Sequence, residues 1–370
     1  MSQSSVSPAG APGASASSVL AEENGSARSL ILNRPKSINA IDHEMVLEMA
    51  RRLDTWGVDE TVKAVVVAGA GERGLCAGGD IVAIHRDAAA LSGNPESTDV
   101  DAEQSPSAKF WFDEYRLNES ISTYPKPYVA IMDGIVMGGG VGISAHGNVR
   151  IVTDRTKLAM PEVGIGFVPD VGGTHLLSRV PDGLGTYAGL TAGHLRGADA
   201  IAMGLADHFV PAESLPAFIA AIGEAGVDAA VDRYAVDAPP SELSDQREWI
   251  AGAFAAPTVA EIVDRCRAVG SPEAVKTADT IAAKSPTALA VTLRSLREAA
   301  DDASLADTLV REYRVSLRCL LHPDMAEGIR AQVIDKDRNP KWADFSEDAV
   351  DAFFAPLPHD LTFANAPAAG

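Results

Sequence analysis

Short apolar runs that end in glycine or proline and give way to helical patterns recur along the first half of this chain. That alternation constrains the fold more than any other feature. Residues 29–32 form a brief apolar strand closed by Asn33-Arg34-Pro35. Residues 63–68 are a β-branched run of buried-strand type ending at Gly69, and 127–132 repeat the pattern before Asp133-Gly134. A further strand reads over 149–153. Between them lie helical periodicities: Met45, Val46, Met49 and Leu53 behind Asp42, and an amphipathic stretch over 110–122. Strands separated by helices predict an α/β architecture.

The second half reads differently. Composition shifts to Asp, Pro, Ser and Glu around 236–246, and helices are expected over 259–269, 271–284, 287–300 and 305–320. The expected organisation is a disordered tail over 1–24, a core domain over 25–235, a helical region over 236–345 and a tail over 346–370. Residues 87–107, rich in Ala, Ser, Asp, Pro and Gly, read as a loop.

A net charge of −20 and an isoelectric point near 4.7 exclude the basic patch that nucleic acid or an anionic membrane would require. An anionic ligand would depend on local cations, with Arg34, Lys36, Arg73 and Arg86 beside the glycine-rich loops as candidates. The three cysteines are far apart, and neither they nor His85, His175, His194 and His208 show metal-ligand spacing, so no metal is expected. The first twenty residues have neither the charge nor the apolar run of a signal peptide, and no arginine. On that basis a cytoplasmic location is expected.

The chemistry concentrates in two glycine-rich loops and two carboxylates. Leu75-Cys76-Ala77-Gly78-Gly79-Asp80-Ile81 and Met137-Gly138-Gly139-Gly140-Val141-Gly142 each precede an expected helix, the first with Asp80 as its cap. Such loops aim bare N–H groups at developing negative charge, although glycines also serve ordinary tight turns. Glu162, in Met160-Pro161-Glu162, and Asp170, in Pro169-Asp170-Val171-Gly172-Gly173, follow on irregular chain. Amide donors with acid/base groups suit acyl chemistry. Ser144 and His146 lack a nucleophile-elbow frame, and Cys76 reads as a small buried residue rather than a nucleophile.

As a set these motifs resemble the crotonase (enoyl-CoA hydratase/isomerase) superfamily, and within it the 3-hydroxyisobutyryl-CoA hydrolase branch. Glu327-Gly328-Ile329-Arg330-Ala331, Ile334-Asp335-Lys336-Asp337 and Pro340-Lys341-Trp342 are similar to the end of that branch. The resemblance implies a crotonase-type spiral of repeated ββα units with a C-terminal helical region. It implies an oxyanion hole from the Gly79 and Gly139 amides, with Glu162 and Asp170 as catalytic carboxylates. It further implies coenzyme A binding around Lys36, Ala40, Ala77, Gly78, Asp80, Ile81 and Gly138. The partner would be an acyl-CoA substrate and the cofactor none, in a possible homotrimer or homohexamer. The implied reaction is hydrolysis of 3-hydroxyisobutyryl-CoA in valine catabolism. Hydratases of the family carry a second glutamate where this chain has Gly142, so the two-glutamate hydration route lacks a side chain here. An enoyl-CoA hydratase/isomerase is the enzymatic alternative, and a non-catalytic acyl-CoA-binding protein a third.

Overall fold

A computed structural model of the chain describes residues 17–94 and 96–363. Its strands are β1 (Val19–Asn24), β2 (Ala27–Leu32), β3 (Ala64–Gly69), β4 (Gly74–Cys76), β5 (Tyr128–Met132), β6 (Ile135–Met137), β7 (Val149–Val152), β8 (Lys157–Ala159), β9 (Leu195–Arg196) and β10 (His208–Phe209). They form a six-stranded sheet in the order β1-β2-β3-β5-β7-β10 and a four-stranded sheet in the order β4-β6-β8-β9. From β2 to β10 the larger sheet is parallel, and so is the run β4-β6-β8 of the smaller one.

The chain therefore advances as a spiral. Each pair, β3/β4, β5/β6 and β7/β8, places one strand in each sheet before irregular or helical chain carries it onward. The unit is ββα, as the resemblance implied. Its short second strands were invisible in the sequence because three residues carry no period.

Both faces of the larger sheet are covered, which is why its strands are apolar without interruption. Alternate residues of β3 show this: Val65 and Val67 enter the main core, while Ala64 and Val66 pack on Phe218 and Ile222 of the Leu215–Ala225 helix. The main core runs on past residue 236 without a break and takes in Ile250, Leu296, Leu309 and Leu317.

Several expectations are corrected. Residues 19–24, placed in the N-terminal tail, are an edge strand held by an antiparallel hairpin (Val19 opposite Leu32, Asn24 opposite Ala27) with Gly25 turning at φ +54°. Its exposed Glu22 and Glu23 gave it a tail-like composition, and charge on an edge strand deters pairing with other chains. Residues 1–16 lie outside the described residues. The C-terminal tail expectation also fails over 346–363: a 3₁₀ helix, Glu347–Phe354, buries Val350, Phe353 and Phe354, and Leu357 and Leu361 follow them into the core. Residues 364–370 lie outside the described set. The expected loop at 87–107 is largely helical, split among Ile81–Ser92, Asp99–Glu103 and the start of Pro106–Ser122. In the last of these Ser105 caps Ala108 N at 3.0 Å and Pro106 opens the first turn.

Candidate active site

β4, β6 and β8 are parallel neighbours, so the loops that leave their C-terminal ends emerge side by side. The first carries Gly78 and Gly79, the second Gly138 and Gly139, the third Glu162. Gly138 adopts φ +47°, ψ −119°, a conformation closed to residues with a Cβ. A Cβ there would also stand 2.8 Å from Glu162 Oε1. One on Gly139 would lie 3.5 Å from Gly79 N and 2.7 Å from Glu114 Oε1. The two glycine amides and two carboxylates thus surround one point. Neither the Gly79 nor the Gly139 N–H has an acceptor among the described residues. After Gly138 the helix is a single turn, Gly139–Gly142, shorter than expected, so the donors there are the amides themselves rather than a helix dipole.

The point opens into a cavity of about 120 Å³ lined by Ala77, Gly78, Gly79, Ile81, Gly138 and Gly139, by Glu114, Glu162 and Asp170, and by Trp111 stacked on Phe167 at 5.4 Å. A second cavity of about 400 Å³ shares Ile84 and Phe110 with it and holds Asp80, Arg86, Lys109 and His43. Of the residues expected to bind coenzyme A, Lys36 and Ala40 line neither cavity. Two expected cations are committed within the fold: Arg34 pairs with Asp80 and Asp42, and Arg73 donates to the Pro35 and Lys36 carbonyls. Asp80 accordingly makes no side-chain cap on the helix that follows, correcting that expectation.

The electrostatics are unusual: four acids share one buried region. Glu162 and Asp170 are each 5% exposed, Glu114 and Glu312 each 1%. Burial, reinforced by the charge of Asp170, holds Glu162 and Glu114 well above the ordinary carboxylate range. Burial and the charge of Glu312 push Asp170 up to about 8, against the opposing bond from Tyr115. Tyr115 donates to Asp170 Oδ2 at 2.8 Å and meets Ser316 Oγ at 2.8 Å. Glu114 Oε1 and Glu162 Oε2 are buried with no partner among the described residues. Unpartnered buried oxygens are costly unless a ligand meets them.

Sequence reasoning missed Glu114, Tyr115 and Asn118 on the Pro106–Ser122 helix and Glu312 and Ser316 on Leu305–Leu321. The signal available was polar residues at core positions of amphipathic helices. Gly142 gains a physical reason: a Cβ there would meet Val171 Cβ at 2.6 Å and Asn118 Nδ2 at 2.9 Å. The site has no room for the second glutamate at that position.

The tempting residues prove ordinary. Ser144 donates to Gly140 O, and His146 Nε2 to Val171 O at 2.8 Å. Cys76 is fully buried; Gly78 N donates to its Sγ at 3.3 Å, and burial pushes the thiol up to about 12. Cys266 and Cys319 are buried and free as well. The C-terminal motif braces the Glu162 loop. Asp324 accepts from Ser285 Oγ and Ala343 N, Glu327 pairs with Arg330, and Met325 reaches the cavity wall.

A profile described as enoyl-CoA hydratase/isomerase matches residues 27–354. The chain belongs to that family. A Danio rerio relative named 3-hydroxyisobutyryl-CoA hydrolase, mitochondrial, is 41% identical over 357 residues, covering 92% of this chain and 90% of its own. Several further vertebrate relatives bear the same name. Among solved structures, a carnitinyl-CoA dehydratase from Mycobacterium thermoresistibile is 52% identical with a TM-score of 0.88, over 94% of this chain and 99% of its own. An enoyl-CoA hydratase from Rhodobacter sphaeroides is 38% identical with a TM-score of 0.84, over 94% and 100%. The cytoplasmic expectation is overturned by the curated relatives, all named as mitochondrial. It rested on the composition of the first twenty residues, which does not determine a location.

Proposed function

We propose that this member of the family hydrolyses a short β-hydroxyacyl-CoA thioester, 3-hydroxyisobutyryl-CoA, to the free hydroxy acid and coenzyme A, a step of valine breakdown. One observation carries the reading: two acceptor-free glycine amides face Glu162 and Asp170 where position 142 has no space for a second glutamate.

The thioester carbonyl oxygen lies between the Gly79 and Gly139 amides, which stabilise the tetrahedral oxyanion by about 3–4 kcal/mol each. Glu162 stands beside that point. In its ionised form it either attacks the carbonyl carbon, releasing CoA thiolate and leaving a mixed anhydride that water opens, or takes a proton from the attacking water. On the first route, water that opens the anhydride at the Glu162 carboxyl carbon leaves ¹⁸O from labelled water in that carboxylate over repeated turnovers; the second route leaves none there. Asp170, protonated up to about pH 8, donates a hydrogen bond to the water or to the substrate hydroxyl. Glu114, next to Gly139, binds the β-hydroxyl. The second cavity, with Arg86 and Lys109, takes the body of coenzyme A and supplies cations that an overall acidic surface lacks. The residues need no metal or redox group for this chemistry.

The test is release of CoA thiol from 3-hydroxyisobutyryl-CoA beside acetyl- and crotonyl-CoA, with Glu162→Gln as control. Rapid release confined to the hydroxyacyl ester and abolished in the control is expected. Release from none of these esters sinks the proposal.

The dehydratase name of the mycobacterial neighbour favours a second reading, addition or loss of water across a C=C bond. Glu114 gives it substance, since this acid restores a second carboxyl from another element. Loss of crotonyl-CoA absorbance would support it. Gly142→Glu separates the two further. It should lower stability by ~1–3 kcal/mol through overpacking against Val171 without raising hydration.

A further inference from the structure

Glu312 is a buried acid with no place in the chemistry above. It belongs to the Leu305–Leu321 helix, far from the motifs in sequence, yet its carboxylate meets the turn that follows Asp170. Gly172 N donates to Oε2 at 2.6 Å; Thr174 N and Oγ donate to Oε1 at 3.0 and 2.5 Å. The turn needs holding. Gly173 N closes it on Asp170 O at 2.6 Å, and Val171 adopts φ +53°, a left-handed conformation costly for a β-branched residue. His146 Nε2 grips the Val171 carbonyl from the other side. We propose that Glu312 is the positioning residue of this site, clamping the turn that carries Asp170 and, in its ionised form, presenting one negative charge behind it.

The inference rests on the catalytic reading of Asp170 and adds how that acid is placed. The plain alternative is that Glu312 only caps the short helix Gly173–Ser178. A neutral cap would serve that purpose without setting a like charge against Asp170. Asp170 is faced by Glu114 and Tyr115 from the Pro106–Ser122 helix, by Glu162, and by Glu312 and Cys319 from Leu305–Leu321, with Ser316 of that helix bonded to Tyr115. Arg311 adjoins Glu312 on its own helix but is bonded to Asp302. Burial keeps His146 and His175 neutral near pH 7. Burial is the first cause of the raised Asp170, and the Glu312 charge adds to it.

The experiment follows the Asp170 carboxyl directly, by NMR of protein labelled with ¹³C at aspartate side-chain carboxyls, assigned with Asp170→Asn. In the unaltered enzyme it should titrate near 8. In Glu312→Gln the midpoint should fall by about one unit, the matching limb of the kcat profile should move down with it, and kcat should drop about ten- to a hundredfold with little change in KM. Thr174→Val removes a donor that steadies the Glu312 anion, so it should shift the midpoint in the same direction by less, and it decides the matter if Glu312→Gln does not fold. An Asp170 titration that stays where it was in the variants, with only the melting temperature lowered, would overturn the proposal and leave Glu312 a helix cap. Full activity in Asp170→Asn would instead sink the catalytic reading of Asp170, while the titration still reports on Glu312.

Discussion

The loops after β4, β6 and β8 line one cavity with the helix Pro106–Ser122, and the helix Leu305–Leu321 backs it behind Asp170, yet loops and helices contribute in opposite ways. The loops bring bare amides and Glu162 through backbone conformation: a positive φ at Gly138, neighbouring ends of three parallel strands, and no side chain where the two glycine loops converge. The helices bring Glu114, Tyr115 and Glu312 by burial, at positions where their amphipathic pattern calls for apolar residues. Loops here place groups by backbone conformation, and helices set buried polar side chains beside them. Asp170 stands at the junction, carried by a loop and tuned by both helices.

That division can be broken by substitution. The largest effect should follow from the loop side: Glu162→Gln, isosteric and neutral, should cut kcat by about 10²- to 10⁴-fold while acyl-CoA still binds by calorimetry. At the junction, Asp170→Asn should cost about ten- to a hundredfold, and hydrolysis at the original rate would return Asp170 to an ordinary turn residue. On the helix side, Glu114→Gln should cost about tenfold, mostly against hydroxyacyl esters. Equal losses on acetyl-CoA would argue against a contact with the hydroxyl.

The smallest effect concerns stability. Folding raises the proton affinity of Glu114, Glu162, Asp170 and Glu312, so above about pH 4 these four groups hold more protons in the folded chain than in the unfolded one. These groups therefore stabilise the fold fully at the acidic end, and that contribution is lost as pH rises through their folded values. Denaturation free energies should fall from pH 7 to 8.5, above the range where the buried histidines His146, His175 and His322 act in the opposite sense, each proton contributing up to ~1.4 kcal/mol per pH unit. The slope should be shallower in Asp170→Asn; an identical slope would show that this acid is not protonated in the native state.

The same division governs what the sequence reveals. β3 and β5 were legible because β-branched and apolar runs of strand length have few other uses, and the glycine loops because their composition is specific as a set. The short strands β4, β6 and β8 were not, since three residues carry no period. The Pro106 helix start was readable from Ser105-Pro106 but was masked by the polar composition before it. Glu114 and Glu312 were illegible for a deeper reason. A charged residue in an amphipathic helix is assigned to the wet face unless its spacing is compared with its neighbours. Residues 107, 110, 111, 114, 118 and 121 do share the buried face.

The burial of every cysteine bears on how this enzyme can be watched. A thiol fixed beneath the first glycine loop, and two more packed among helices, leave the native protein silent toward aromatic disulfide reagents. Colour in a continuous assay then counts released coenzyme A alone. The same reagent, with substrate omitted and temperature raised, becomes a gauge of unfolding through all three thiols.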